Sequence, residues 1–191
     1  MNLLAHALLS RNETDQVMTI NVLWDFLGKD LRQDQRKFVR RGATIHRTID
    51  RETDTSAEFQ QALNLVSVKR ESVSGVVVDI ALDYALSKDW TYYCTDDRLE
   101  LFQRFYDRME RAAPSINERA VTFVHGMRER NWFKSYGELE GIQRVFKHLA
   151  DRYRFLDSIV GAEAEIEQRV DRYTVLMRDL FPKVELAVAK L

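Results

Sequence analysis

Residues 75–86 read GVVVDIALDYAL, an apolar run broken only by two acids four positions apart. The β-branched residues in it would suit a buried strand. A strand needs a partner, and the sequence offers no second strand to pair with this one, so a lone strand here would be unstable. As a helix, the run places Asp79 and Asp83 one turn apart on the same face. Ser72 to Leu86 is therefore predicted to be helical. Val76, Val77, Ile80, Leu82 and Leu86 predict that it is buried on most sides. An acid at core spacing is costly unless something pairs with it, and two acids one turn apart repel unless a cation lies between or beside them.

The rest of the chain follows the helical pattern. Two prolines and seven glycines in 191 residues leave few helix breakers, and the length suits one domain, residues 1–191. Thr14 or Asp15 caps a helix running to about Phe26 and stopped by Gly28. A helix is predicted from Leu31 to about Thr53, open to interruption at Gly42. Thr55 or Ser56 caps a segment through Val66. Thr95 or Asp96 caps an amphipathic helix carrying Leu99, Phe102, Phe105, Tyr106 and Met109. Pro114 fits the first turn of the next helix, which reaches about Arg130. Leu139–Leu149 and Glu163–Leu180 are predicted helices, the second broken by Pro182. The fold class expected is all-α, a single compact multi-helix domain of roughly eight to ten helices.

Several function classes fall away. The formal net charge of −1 gives no reason to invoke nucleic acid. The single cysteine, Cys94, excludes an internal disulfide and a thiolate-rich metal site, and fits a reducing compartment. No apolar run approaches the ~18 residues that cross a bilayer. The start, MNLLAHALLSRNETD, lacks the positive region and cleavage site of a signal peptide, so a cytoplasmic address and no membrane partner are expected. Neither a Gly-rich phosphate loop nor an HExxH or GxSxG motif is present.

What remains is a set of acids and histidines at helical spacing. His46, Asp50 and Asp54 sit in HRTIDRETD, Asp25 lies between Trp24 and Phe26, and His6 lies among Leu3, Leu4, Leu8 and Leu9. Carboxylate oxygens and imidazole nitrogens are the mixture that divalent metals accept, and a shared charged pocket would gather them. The plainer alternative is that Asp79 and Asp83 pair with Arg47, Lys69 or Arg70, and that His6 is a satisfied core residue. His125 and His148 stand in polar company and are read as solvated or structural. On one helix, Arg32, Arg36 and Arg40 would share a face, with Lys37 and Arg41 beside them and Arg47 continuing the charge. Such a run is either a solvated face or a docking patch for an acidic partner.

Taken together, these residues resemble the acyl carrier protein phosphodiesterase family, also called acyl carrier protein phosphodihydrolases. Met1-Asn2-Leu3-Leu4-Ala5-His6 matches its MNxLAH start. Asn21, Asp25, Phe26 and Gly28 are similar to its GNxxxDFxxG segment. Gly42, His46, Arg47, Ile49, Asp50, Thr53 and Asp54 match GxxxHRxIDxxTD in full. Asp79, Asp83, Leu86 and Trp90 follow DxxxDHxL and its tryptophan, and Met127, Trp132, Tyr136 and Ile142 keep the order of a looser stretch. The chain departs from the family at Tyr84, where histidine is usual, and at Leu8, Ile20 and Trp24.

The resemblance implies an all-helical fold distantly related to HD-type metal phosphohydrolases. It implies hydrolysis of the phosphodiester that joins 4′-phosphopantetheine to a serine of acyl carrier protein, with Mn2+ or Mg2+ as cofactor. On that footing His46, Asp79 and Asp83 are the expected metal ligands, with Asp25, Asp50 and His6 completing a catalytic pocket. Arg47 is expected to hold the phosphate by a bidentate contact. Arg32, Arg36 and Arg40 are expected to receive the acidic carrier protein. Two alternatives stay open: a family member weak or silent in catalysis that binds the carrier, favoured by Tyr84 and Leu8, or a phosphohydrolase for a small phosphate ester.

Overall fold

In the computed structural model, which describes residues 1–191 with the exception of the Asp30 side chain, Ser74–Lys88 is one unbroken helix. Val78, Ile80, Ala81, Leu82, Ala85 and Leu86 in it are fully buried. In chain order the α-helices among the described residues are α1 (Leu3–Leu9), α2 (Asp15–Leu23), α3 (Lys37–Asp54), α4 (Ala57–Leu63), α5 (Ser74–Lys88) and α6 (Trp90–Tyr93). They continue with α7 (Arg98–Ile116), α8 (Glu118–Glu129), α9 (Trp132–Ser135), α10 (Leu139–Arg152), α11 (Ala162–Gln168) and α12 (Val170–Ala189). Short 3₁₀ turns occupy Trp24–Phe26, Lys29–Gln33, Val68–Val73 and Arg154–Ile159. No strand forms among the described residues, and no helix is long and apolar enough to cross a membrane.

Two layers share the core. α12 lies along α3, α4 and α5 on one side, while α2 packs between α3 and α7, with α8 paired to α7. α1 is short and buried along its whole length, wedged against α2 and α5. The helix starts are set by side chains that accept otherwise unpaired backbone N–H groups. Thr14 accepts from Val17, Ser56 from Phe59, and Asn117 from Ala120. Asp97, rather than Thr95 or Asp96, caps α7, accepting from Leu99 and Glu100 at 2.9 and 3.0 Å.

α3 runs straight through Gly42, with no interruption. A Cβ at that position would lie 2.6 Å from Ile20 Cβ and 2.8 Å from the Val17 carbonyl oxygen. Gly42 is there because α2 and α3 touch backbone to side chain, and that contact fixes the next turn of α3 against α2.

Three expectations give way, two to packing and one to a local turn. The prolines do not end helices: α7 continues past Pro114 to Ile116, and α12 past Pro182 to Ala189. An interior proline costs about 3 kcal/mol. Leu180, Phe181 and Val184, all buried around Pro182, offset it at about 1.5–3 kcal/mol each. The helix expected from Leu31 begins only at Lys37. Asp34 accepts the Arg36 backbone N–H at 2.8 Å and binds its guanidinium, a local turn that competes with helix formation. Arg32, Arg36 and Arg40 therefore do not share a helical face.

Candidate functional site

His6 on α1, Asp25 in the turn after α2, His46, Asp50 and Asp54 on α3, and Asp79 on α5 converge on one cavity of about 290 Å³. Met1, Asn2 and Phe26 complete much of its wall. Residues 46, 50 and 54 are four apart, so α3 presents all three to the cavity from one face. The two imidazoles lie 4.6 Å apart between ring centres, tilted by 36°. Asp50 reaches both, with its oxygens 3.1 Å from His46 Nε2 and 3.3 Å from His6 Nε2, and Asp25 lies 3.5 Å from His46 Nε2.

The electrostatics follow from this crowding. Burial alone would lower the His46 pKa, but the carboxylates of Asp25 and Asp50 outweigh it and raise it to about 9. Burial pushes the Asp50 carboxyl up, yet His46 and His6 overcome this and hold it far below the usual carboxylate range. His46 lowers Asp25 in the same way. His6 goes the other way: burial lowers its pKa against the pull of Asp50, so the ring is neutral at neutral pH.

The His46 shift sets a pH dependence for the metal-free protein. The folded value of about 9 lies above the ~6.5 of an unfolded histidine. The pairing therefore stabilises fully below about pH 6.5 and is lost as pH rises through about 9. Its partners Asp50 and Asp25 are 41% and 72% exposed, which limits the contribution to about 1–3 kcal/mol. The thermal midpoint in chelator is expected to fall between pH 6.5 and 9, and His46→Gln to flatten that slope. A slope that is unchanged in the variant would place the titration elsewhere.

Not every expected site residue arrives. Asp83 is fully buried, and its two oxygens accept backbone N–H groups of Asn2, Leu4 and Ala5 at 3.2, 2.7 and 3.2 Å. Burial raises its pKa to about 7 against these donors and the nearby terminal ammonium. Asp83 thus caps α1 and does not line the cavity, which leaves it unsuited to the ligand role expected of it. Asp79 does line the cavity, but one of its oxygens is 2.7 Å from the Met1 ammonium. Tyr84 is buried and donates to Glu167, away from the cavity, and Leu8 is core.

The cations also separate. Arg36 is tied to Asp34 and to the carbonyl oxygens of Ser115 and Ile116. Arg32 lies exposed in the 3₁₀ turn and Arg40 exposed on α3. Arg47 is exposed, lies over the Trp24 ring at 5.7 Å and makes no ion pair among the described residues.

The residue sequence reasoning passed over is Asn21. It matched the family pattern but was given no role. Its signal was an amide at a core position, with Ile20, Val22 and Leu23 around it. The backbone carbonyl of Asn21 is 2.7 Å from His46 Nδ1. A carbonyl only accepts, so Nδ1 keeps its proton in both charge states of the ring, and Nε2 carries the proton that His46 loses on titrating.

Among the described residues, no three His, Cys, Asp or Glu groups stand at metal-ligand spacing. The donor set nonetheless fits a divalent cation. His46 Nε2 is buried without an aligned hydrogen-bond partner, and it faces oxygen donors from two carboxylates.

Fold and site together describe an all-helical protein with a histidine–carboxylate cavity of the kind that suits hydrolytic chemistry. The pattern of the family described as acyl carrier protein phosphodiesterase matches residues 1–184, and the chain belongs to that family. An acyl carrier protein phosphodiesterase of Klebsiella pneumoniae subsp. pneumoniae is 26% identical over 185 residues, 96% of this chain and 95% of the relative. Relatives of the same name from Salmonella agona and Pectobacterium atrosepticum are 24% and 25% identical, covering 100% and 96% of this chain and 98% and 95% of their own length. No solved structure matches.

Proposed function

We propose that this chain hydrolyses the phosphodiester of holo-acyl carrier protein, giving apo carrier protein and 4′-phosphopantetheine. The observation that carries the reading is the convergence of His6, His46, Asp25 and Asp50 on one cavity in a chain of this family. His46, His6 and Asp50 are the residues that would hold a divalent metal, Mn2+ or Mg2+, with Asp79 at the rim. The kinship to HD-type phosphohydrolases implied by the sequence patterns is part of this proposal. Bound there, the metal would polarise a phosphoryl oxygen and acidify water.

The chain's own groups account for the remaining work. Asp25 is the most solvent-facing of the paired acids, with 72% of its side chain exposed. It is ionised, because His46 lowers its pKa, and it accepts a proton from the attacking water. Arg47, braced on Trp24, offers a guanidinium fork to the non-bridging phosphate oxygens. The water oxygen bonds to phosphorus as the bond between phosphorus and the carrier serine oxygen breaks, and that oxygen leaves with a proton drawn from solvent. Tyr84 removes nothing from the cavity, which favours the hydrolase over the silent binding alternative.

Docking is assigned to α3. Lys37, Arg40 and Arg47 are exposed and spaced three and seven residues apart, a basic stripe leading to the cavity. Arg32 lies outside this stripe, and Arg36 contributes little because Asp34 already neutralises it.

The test is the intact mass of holo-acyl carrier protein incubated with the protein and manganese. Loss of the phosphopantetheine mass, prevented by chelator, is the expected result. An unchanged mass across manganese, magnesium and other divalent metals would overturn the reading. Turnover of small phosphate esters in its place, surviving Arg40→Glu, would put the small-ester alternative first.

A further inference from the structure

The side chain of Asn21 holds His6 as firmly as its backbone holds His46. Asn21 is fully buried on α2, facing α1. Its Nδ2 donates to the His6 carbonyl oxygen at 2.8 Å and to Ser10 Oγ at 2.9 Å, and Ser10 Oγ in turn donates to the His6 carbonyl at 2.8 Å. Turning the amide over would set Oδ1 against that carbonyl, two acceptors facing each other, so the amide orientation is fixed. Oδ1 then lies 3.0 Å from His6 Nδ1. Since Oδ1 only accepts, the His6 proton belongs on Nδ1.

We infer that Asn21 is a positioning residue that keeps a proton on Nδ1 of both histidines, so that each ring presents Nε2 to Asp50 across the cavity, bare on His6 and carrying the exchangeable proton on His46. A lone pair 3.3 Å from a carboxylate oxygen, as at His6, is repulsive by itself. Left to local attraction alone, the His6 proton would sit on Nε2 and donate to Asp50. Asn21 denies it that arrangement, and the contact becomes favourable when a cation lies between the two donors. One residue with two acceptors, Oδ1 and its backbone carbonyl, therefore makes Nε2 of both rings the atom open to a cation, at His46 once the cation displaces the proton shared with Asp25 and Asp50. The cation role rests on the proposed function. The tautomer assignment does not.

Long-range 1H–15N spectra of histidine-labelled, metal-free protein at pH 7.5 read the tautomer directly. The expected result is a protonated Nδ1 and a bare Nε2 on His6. In Asn21→Ala the His6 proton is expected to move to Nε2, and manganese affinity to fall by about 10–100-fold. Asn21→Asp, its buried carboxyl protonated so that one oxygen donates to the His6 carbonyl, keeps the other as an acceptor for Nδ1–H and is expected to retain the wild-type tautomer. His46, whose acceptor is a backbone carbonyl, keeps its Nδ1 proton in both variants. A wild-type His6 protonated on Nε2 overturns the inference, and so does a folded Asn21→Ala chain that binds manganese as wild type does. If Asn21→Ala fails to fold, the wild-type and Asn21→Asp spectra decide. The expected tautomer in a chain without hydrolase activity would sink the proposed function and leave this inference standing. The reverse tautomer in an active chain would do the opposite.

Discussion

The His46→Gln variant is expected to release phosphopantetheine from holo-acyl carrier protein at least about 100-fold more slowly than the wild-type chain, with helix content unchanged. Among the described residues, His46 is the one group in the cavity that pairs with both Asp25 and Asp50, and its ring is locked from behind by the Asn21 carbonyl. Glutamine can still donate to that carbonyl, so the α2–α3 contact survives. What it lacks is an imidazole nitrogen aimed at the two acids. The residue is buried, so circular dichroism must accompany the intact-mass assay. A folded variant that turns over within a few-fold of wild type would remove His46 from the chemistry and take the cavity with it.

Asp83→Ala is expected to lower stability by about 3–5 kcal/mol, because it strips the partner from two buried N–H groups, a part-buried one and an adjacent ammonium. For a chain of this size that is roughly 10 °C or more in thermal midpoint. Asp83→Asn keeps one oxygen acceptor and is expected to lose less. The two roles open to Asp83 separate cleanly in metal-free protein. A cap destabilises when removed whether or not metal is present. A ligand, once removed, leaves the metal-free midpoint in place or raises it, by relieving repulsion from Asp79. A midpoint within about 2 °C of wild type in chelator would therefore restore the ligand reading.

The behaviour of Asp83 shows how far the sequence carries. The spacing of GVVVDIALDYAL made α5 a helix and put both acids on one face, and both statements hold. Spacing does not say what lies opposite each acid. Asp79 lies beside an ammonium at the cavity wall, and Asp83, one turn on, meets the backbone of α1. The partner of a buried carboxylate comes from a segment about 80 residues away, and nothing local encodes which atom arrives. The basic run failed for a local reason instead, a turn that competes with the helix two residues away. Its charges were visible, but Asp34 captured Arg36 and broke the helix that would have aligned it with Arg32 and Arg40.

The sequence by itself determined an all-helical chain, its family, and most of the residues that meet: His6, Asp25, His46, Asp50 and Asp79. It could do so because helical period is a local property and the polar residues stand out on apolar faces. Only the tertiary structure decided that Asp83 caps α1, that Pro182 lies inside a helix, and that Asn21 sits behind both imidazoles. Each of those depends on a contact between segments far apart in the chain, where close packing selects one partner among several that the sequence leaves equally available.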